Sequence, residues 1–238
     1  MSDDELFRRA SRATPQQPLA GLTVLVVEDS RFASEAMRLL CLRSGARIRR
    51  ADSLRTARRH LALYRPGVVV IDLGLPDGSG ADLIAELARA HPRVDVILGV
   101  SGDPEAGPVA ISAGADGFLL KPILSLDLFQ HTILSHLPQA VVPSGPRALA
   151  GENVMPDEAA MFDDLAQVAD LLGAAESDER LGYVTQFLDA LALQAGDVVL
   201  RSAAEGLRRA RQTGRPWGPD LARLAGLVQD RLDRRRAV

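Results

Sequence analysis

Five short apolar runs rich in β-branched residues recur through the first part of the chain, and each is followed by a stretch of helix length. They are LTVLVV (22–27), ARIRRA (46–51), GVVVID (67–72), VDVILGVS (94–101) and GFLL (117–120). A run too short for a helix and bounded by turn residues reads as a strand. Strands that alternate with helices pair in parallel through right-handed crossovers. The expected fold is therefore α/β: a five-stranded parallel doubly wound sheet with helices on both faces. The near-continuous apolar runs VVVI and VDVIL belong at its centre, where both faces are covered.

The rest of the chain is patterned differently. Residues 1–20 are mostly polar, carry TPQQP at 14–18 and read as a tail before a domain spanning 21–138. The segment from Pro138 to Pro156 carries four prolines and reads as a linker over 139–155. No strand pattern follows it. Four amphipathic helices are expected at about 157–172, 178–194, 197–212 and 219–235, forming a small all-α bundle over 156–238. The spacings Phe162, Leu165, Ala169, Leu172 and Leu181, Val184, Leu188, Leu191 each place one apolar stripe on a helix.

Ligands of an open parallel sheet bind outside the carboxyl ends of the strands. Those ends carry Glu28 and Asp29 after the first strand, Asp72 after the third, Ser101 after the fourth and Lys121 after the fifth. Lys121 is the only lysine among 28 basic residues. Ammonium is a compact point charge that fits between oxyanions, where the wide planar guanidinium does not. Clustered carboxylates raise one another's pKa, so three of them at buried strand ends make sense if a hard cation such as Mg²⁺ holds them ionised. Mg²⁺, an ammonium and a hydroxyl together suit phosphate oxygens, and the site predicts phosphoryl transfer with one carboxylate as nucleophile.

Residues 22–137 resemble the receiver domain of two-component response regulators, a flavodoxin-like fold. The pieces that carry the resemblance are VVEDS (26–30), VVVIDLGLPDGSG (68–80), VSGD (100–103) and GADGFLLKP (114–122). The resemblance implies that Asp72 accepts a phosphoryl group from a histidine kinase or phosphotransfer protein. It implies Mg²⁺ bound by Glu28, Asp29, Asp72 and the backbone carbonyl of Gly74, and Lys121 bridging carboxylate and phosphoryl oxygens. Ser101 would move to the phosphoryl group, Phe118 would turn inward as an aromatic switch, and Pro122 would be a cis-proline. Phe118 reads equally as core packing. The chain is expected to be a phosphoprotein that assists its own phosphorylation and dephosphorylation, not an enzyme acting on a separate substrate. Gly74 departs from the family, which has a bulkier side chain there. With Gly107 and Pro108 inside it, the helix over 104–113 is expected to be short, broken or mobile, which puts ordinary receiver dimerisation in doubt.

The output of the helical segment stays open between two readings. It binds a protein partner or dimerises, or it binds DNA as a transcription regulator. Residues 165–184 faintly resemble a helix-turn-helix, but the second helix opens ESDER, whose acids repel phosphate. Ser177 reads more simply as an N-cap. Residues 147–200 hold two arginines against eleven acids, −9, while 201–238 hold ten arginines against four acids, +6. The arginine-rich end suits either nucleic acid or the acidic half of its own bundle. No histidine follows His136, which excludes a histidine phosphotransferase. His60, His91, His131 and His136 match no metal spacing, and Trp217 reads as a loop anchor. A net charge of −3, one cysteine (Cys41, in an apolar helical pattern) and the lack of a signal-like or membrane-length apolar run lead to the expectation of a cytoplasmic protein without a membrane partner.

Overall fold

A computed structural model describes residues 13–137, 151–173 and 178–236. The chain divides into two compact units: one takes in Met1–Asp29 and Ser34–Pro156, the other Ser30–Ala33 and Asp157–Val238.

In the first unit β1 (Thr23–Val27), β2 (Arg47–Ala51), β3 (Val68–Asp72), β4 (Val96–Ser101) and β5 (Gly117–Leu120) form one parallel sheet in the order β2-β1-β3-β4-β5. Helices α1 (Arg31–Arg43), α2 (Leu54–Leu63), α3 (Gly80–Arg89), α4 (Gly107–Ala113) and α5 (Leu126–His136) alternate with the strands. Strand side chains point alternately to the two faces, and the core divides accordingly. Val24, Val26, Val68, Val70, Val96 and Leu98 pack with Leu40, Cys41, Phe129 and Ile133 on one face. Leu25, Val27, Val69, Ile71 and Ile97 pack with Leu83 and Ile84 on the other. β3 is buried along its whole length at the centre of the sheet. The chain winds outward from β1 to β2 and then crosses back to β3, so strand order reverses between the ends of β1 and β3.

Serines start three of these helices: Ser53, Ser79 and Ser125 each accept a first-turn N–H of α2, α3 and α5. The helix over 104–113 differs in detail from its expectation. A 3₁₀ turn, Pro104–Ala106, begins at Asp103 and runs into the seven-residue α4, so the helix is short. Pro108 falls in the first turn of α4, where no backbone N–H is needed, and therefore starts the helix without breaking it.

Residues from both flanks add to this unit. Leu19 is fully buried. Farther on, Val154 N–H donates to the Leu124 carbonyl (2.8 Å), Leu126 N–H donates to the Glu152 carbonyl (2.9 Å), and Ser125 and Asn153 form an antiparallel bridge. The Val154 side chain is fully buried in the face that holds Phe129.

The second unit contains α6 (Glu158–Gly173), α7 (Asp178–Ala195), α8 (Val198–Gln212) and α9 (Gly218–Arg236), with consecutive helices packed together and α9 returning to α6. Leu165, Val168, Val184, Leu188, Leu200, Leu207 and Leu224 form its core. Asp197 caps α8 through the Leu200 N–H and receives two bonds from the Arg231 guanidinium, at 2.6 and 2.9 Å. Arg201 lies 3.4 Å from Asp189. Part of the arginine-rich end thus pairs with the acidic half of its own bundle. Ser177 lies outside the described residues. Among the described residues, no helix is long and apolar enough to cross a membrane.

Candidate metal and phosphoacceptor site

The reversal point brings the expected site residues to one edge. β1 runs into Glu28 and Asp29, β3 ends in Asp72, β4 ends in Ser101, and Lys121 follows β5; all five are buried. Carboxylate oxygens of Glu28, Asp29 and Asp72 lie within 4.8 Å of one another. The Lys121 ammonium sits between two of them, its Nζ 2.6 Å from Glu28 Oε2 and 2.8 Å from Asp72 Oδ2.

Backbone bonds fix these positions. The Lys121 N–H donates to the Ser101 carbonyl at 2.9 Å, tying the exit of β5 to the end of β4. The Gly74 N–H donates to Asp72 Oδ1 at 3.2 Å, and the Ser101 hydroxyl accepts the Asp103 N–H at 3.1 Å. Gly74 begins a two-residue antiparallel ladder with Gly78–Ser79, which returns the chain to α3. The Lys121–Pro122 peptide is cis. So is His91–Pro92, for which no signal was found in the sequence. Phe118 is half-buried and packs on the second face of the sheet, close to Gly107 at the start of α4.

Three carboxylates and one ammonium sum to −2 when all are ionised. Burial, helped by Asp72 and Asp29, pushes the Glu28 carboxyl up to about 8 against the pull of Lys121. Burial alone would lower Lys121, but Asp72 and Glu28 outweigh it and hold the ammonium above its ordinary range. A desolvated, all-oxygen cluster with excess negative charge fits a hard cation such as Mg²⁺.

A testable pH dependence follows. A carboxyl raised in the folded state adds stability that is full below its unfolded pKa and is lost as pH rises through its folded pKa. For Glu28 the window runs from 4.5 to about 8. Urea denaturation of the metal-free protein is expected to show roughly 1–3 kcal/mol lost between about pH 5 and about pH 9, with a smaller loss in Glu28→Gln. A flat profile in both proteins would show that Glu28 ionises without cost.

Two carboxylates escaped sequence reading because each acts far along the chain. Asp77 accepts the Leu54 and Arg55 N–H groups, at 2.8 and 2.9 Å, and so caps α2 from the loop after β3. Asp164 of α6 is fully buried. Its one sequence signal is position: it lies four residues before Val168, on the apolar side of its helix.

A doubly wound sheet in this strand order, with buried acids and a lysine at its reversal point, defines a receiver-type α/β domain. Residues 24–133 are a response regulator receiver domain, matching that family over this range. The chain is similar to the KDP operon transcriptional regulatory protein KdpE of Escherichia coli, 31% identical over 99 residues, 42% of this chain and 44% of that protein. It is also similar to the transcriptional regulatory protein DpiA of Escherichia coli, 35% identical over 107 residues, 44% of this chain and 47% of that protein. Among solved structures, the receiver domain of a signal transduction histidine kinase from Syntrophus aciditrophicus is 25% identical with a TM-score of 0.45, covering 54% of this chain and 98% of that one. The chain spans about half the length of the curated relatives it matches.

Proposed function

We propose that the chain is a two-component response regulator in which Asp72 accepts a phosphoryl group from a histidine kinase or phosphotransfer protein, switching a helical domain that occupies 156–238. The observation that carries this reading is the placement of one ammonium between Glu28 and Asp72 within a cluster of three buried carboxylates. Glu28, Asp29, Asp72 and the Gly74 carbonyl would hold Mg²⁺. Held there, Mg²⁺ would supply positive charge to offset that of the phosphoryl oxygens.

The remaining steps belong to the chain itself. An Asp72 oxygen attacks phosphorus, the bond from phosphorus to the donor atom breaks, and the donor leaves with that electron pair. Lys121, already bonded to Asp72 Oδ2, follows the new negative charge. Ser101, whose hydroxyl oxygen accepts the Asp103 N–H, can turn its O–H to donate to a phosphoryl oxygen, and Phe118 moves with it beneath α4. Lys121→Arg places a forked guanidinium in a buried slot sized for a point charge. It is expected to slow labelling by a small phosphodonor only several-fold while removing the output response. Wild-type output from this variant would undo the role given to Lys121.

For the output we favour a protein partner or homodimer. A shallow apolar depression of about 380 Å³ between α6 and α9, lined by Leu172, Leu221, Ala222 and Ala225 among others, supports this. The names of the relatives favour a second reading, a transcription regulator that touches DNA through the arginine-rich helices. The test is intact mass after a small phosphodonor with Mg²⁺, followed by light scattering of the full chain with and without a stable phosphoryl mimic and random-sequence duplex DNA at low salt. An unmodified Asp72 beside a labelled control receiver sinks the acceptor reading. Salt-sensitive DNA binding puts the second reading first, whereas a phosphorylation-dependent change in mass without DNA binding supports the protein partner.

A further inference from the structure

The buried carboxylate of Asp164 points at the start of α1. Its Oδ2 accepts the Ser30 hydroxyl at 2.8 Å and the Phe32 N–H at 3.0 Å, and its Oδ1 accepts the Arg31 N–H at 2.9 Å. The Ser30 hydroxyl oxygen in turn accepts the Ala33 N–H at 3.0 Å. The first N–H groups of a helix have no partner within it, and here a carboxylate from more than 130 positions along the chain satisfies two of them. Each bond is charge-assisted, and the positive end of the helix favours the anion further. Two neighbouring contacts reinforce the hold: Phe32 is buried in the core that contains Leu165 and Val168, and Arg31 pairs with Asp163 at 2.9 Å. For these reasons Ser30–Ala33 belong to the helical unit, although α1 continues in the receiver unit.

Ser30 follows Asp29 directly, and Asp29 is one of the three clustered carboxylates. One peptide bond therefore has the acidic cluster on one side and the cap held by Asp164 on the other. A buried carboxylate is costly unless its donors are in place, so Asp164 tolerates little displacement of Ser30, Arg31 and Phe32. Displacement of Asp29 is restricted in turn, because the chain is continuous.

We propose that Asp164 is a positioning residue that links the acidic cluster to the helical unit: by fixing the start of α1 it sets the backbone at Asp29, and occupation of the cluster changes how firmly the cap is held. This rests on the phosphoacceptor reading above. Linkage is reciprocal, so whatever the cap contributes to binding at the cluster, binding returns to the cap.

The test uses the full chain. Mg²⁺ affinity is measured by calorimetry for wild type, Asp164→Ala, Asp164→Asn and, as a control, Asp170→Asn, which makes the same charge change at an exposed position of the same helix. Asp164→Ala is expected to weaken Mg²⁺ binding about fivefold or more, Asp164→Asn to weaken it less because one acceptor remains, and Asp170→Asn to leave it unchanged. Hydrogen exchange of the wild type supplies a readout independent of any variant. Mg²⁺ with beryllofluoride is expected to change exchange at the amides of Arg31 and Phe32 and in α6, and to leave α9 unaffected. A folded Asp164→Ala that binds Mg²⁺ as Asp170→Asn does would overturn the linkage and leave the acceptor reading standing. If Asp164→Ala does not fold, unchanged exchange at Arg31 and Phe32 on beryllofluoride binding overturns it instead. A wild type that binds no Mg²⁺ removes both readings.

Discussion

Asp72→Asn is expected to abolish covalent labelling by a small phosphodonor while leaving the receiver folded. The amide is nearly isosteric and keeps an oxygen where Oδ1 accepts the Gly74 N–H. Lys121 loses one of its two anionic partners but remains 2.6 Å from Glu28, so the buried ammonium is not stranded. What disappears is the nucleophile: an amide oxygen has neither the charge nor the basicity to hold a phosphoryl group. Losing one anionic ligand should also weaken Mg²⁺ binding by about tenfold or more, since affinity for hard cations follows the number of charged ligands. Intact mass after treatment with the phosphodonor reads the first effect and calorimetry the second. A variant that still gains one phosphoryl mass would place the acceptor elsewhere and remove the role given to Asp72.

The next largest effect is expected from Gly80→Ala, although only one methyl is added. A Cβ at Gly80 would lie 1.9 Å from the carbonyl oxygen of Asp72 and 2.8 Å from its carbonyl carbon. Those atoms are backbone and cannot swing aside. β3 is held between β1 and β4, with Asp72 in register with Val100, so strain from the new methyl must be met by the loop that carries Leu73 or by α3. Overpacking against fixed backbone costs about 3 kcal/mol. Because the yielding loop adjoins Asp72, the proposed acceptor, labelling should slow by about 100-fold, the scale expected for a misplacement of about 1 Å at a reacting centre. The urea midpoint and the labelling rate measure the two losses. If the rate falls and the midpoint holds, the loop has yielded at little cost and carried Asp72 with it.

The expected parts of this molecule rest on local chemistry. Val68 to Ile71 announce a buried strand by composition alone, and Glu28, Asp29, Asp72, Ser101 and Lys121 become neighbours once the strands are parallel. The four helices of the second unit follow from apolar residues recurring at helical spacing. Pro108 illustrates how local reading goes astray. Whether a proline breaks or starts a helix depends on where the helix begins, and that is set here by the turn at Asp103. Asp77 and Asp164 were hidden for a different reason. Each caps a helix distant in sequence, and a carboxylate in a loop or on an amphipathic helix reads as solvated until the partner N–H groups are known. The raised carboxyl of Glu28 follows in kind from three acids at strand ends, but its size depends on burial that only the packed structure supplies.

The pairing of Glu152 and Val154 with Leu126 and Leu124, at the start of α5, alters how the gene could be cut and recombined. The chain leaves the receiver at Leu137 and is bound to the same unit again by Gly151, whose N–H donates to Asp127 at 2.9 Å. Leu137 and Gly151, on either side of residues 138–150, are thus both held by one body. A chimaera joined at residue 138 would deprive the receiver of a piece of its own core, whereas one joined after Pro156 would keep that piece while parting Ser30–Ala33 from Asp164. By the same geometry, the useful seam between modules lies beyond Val154.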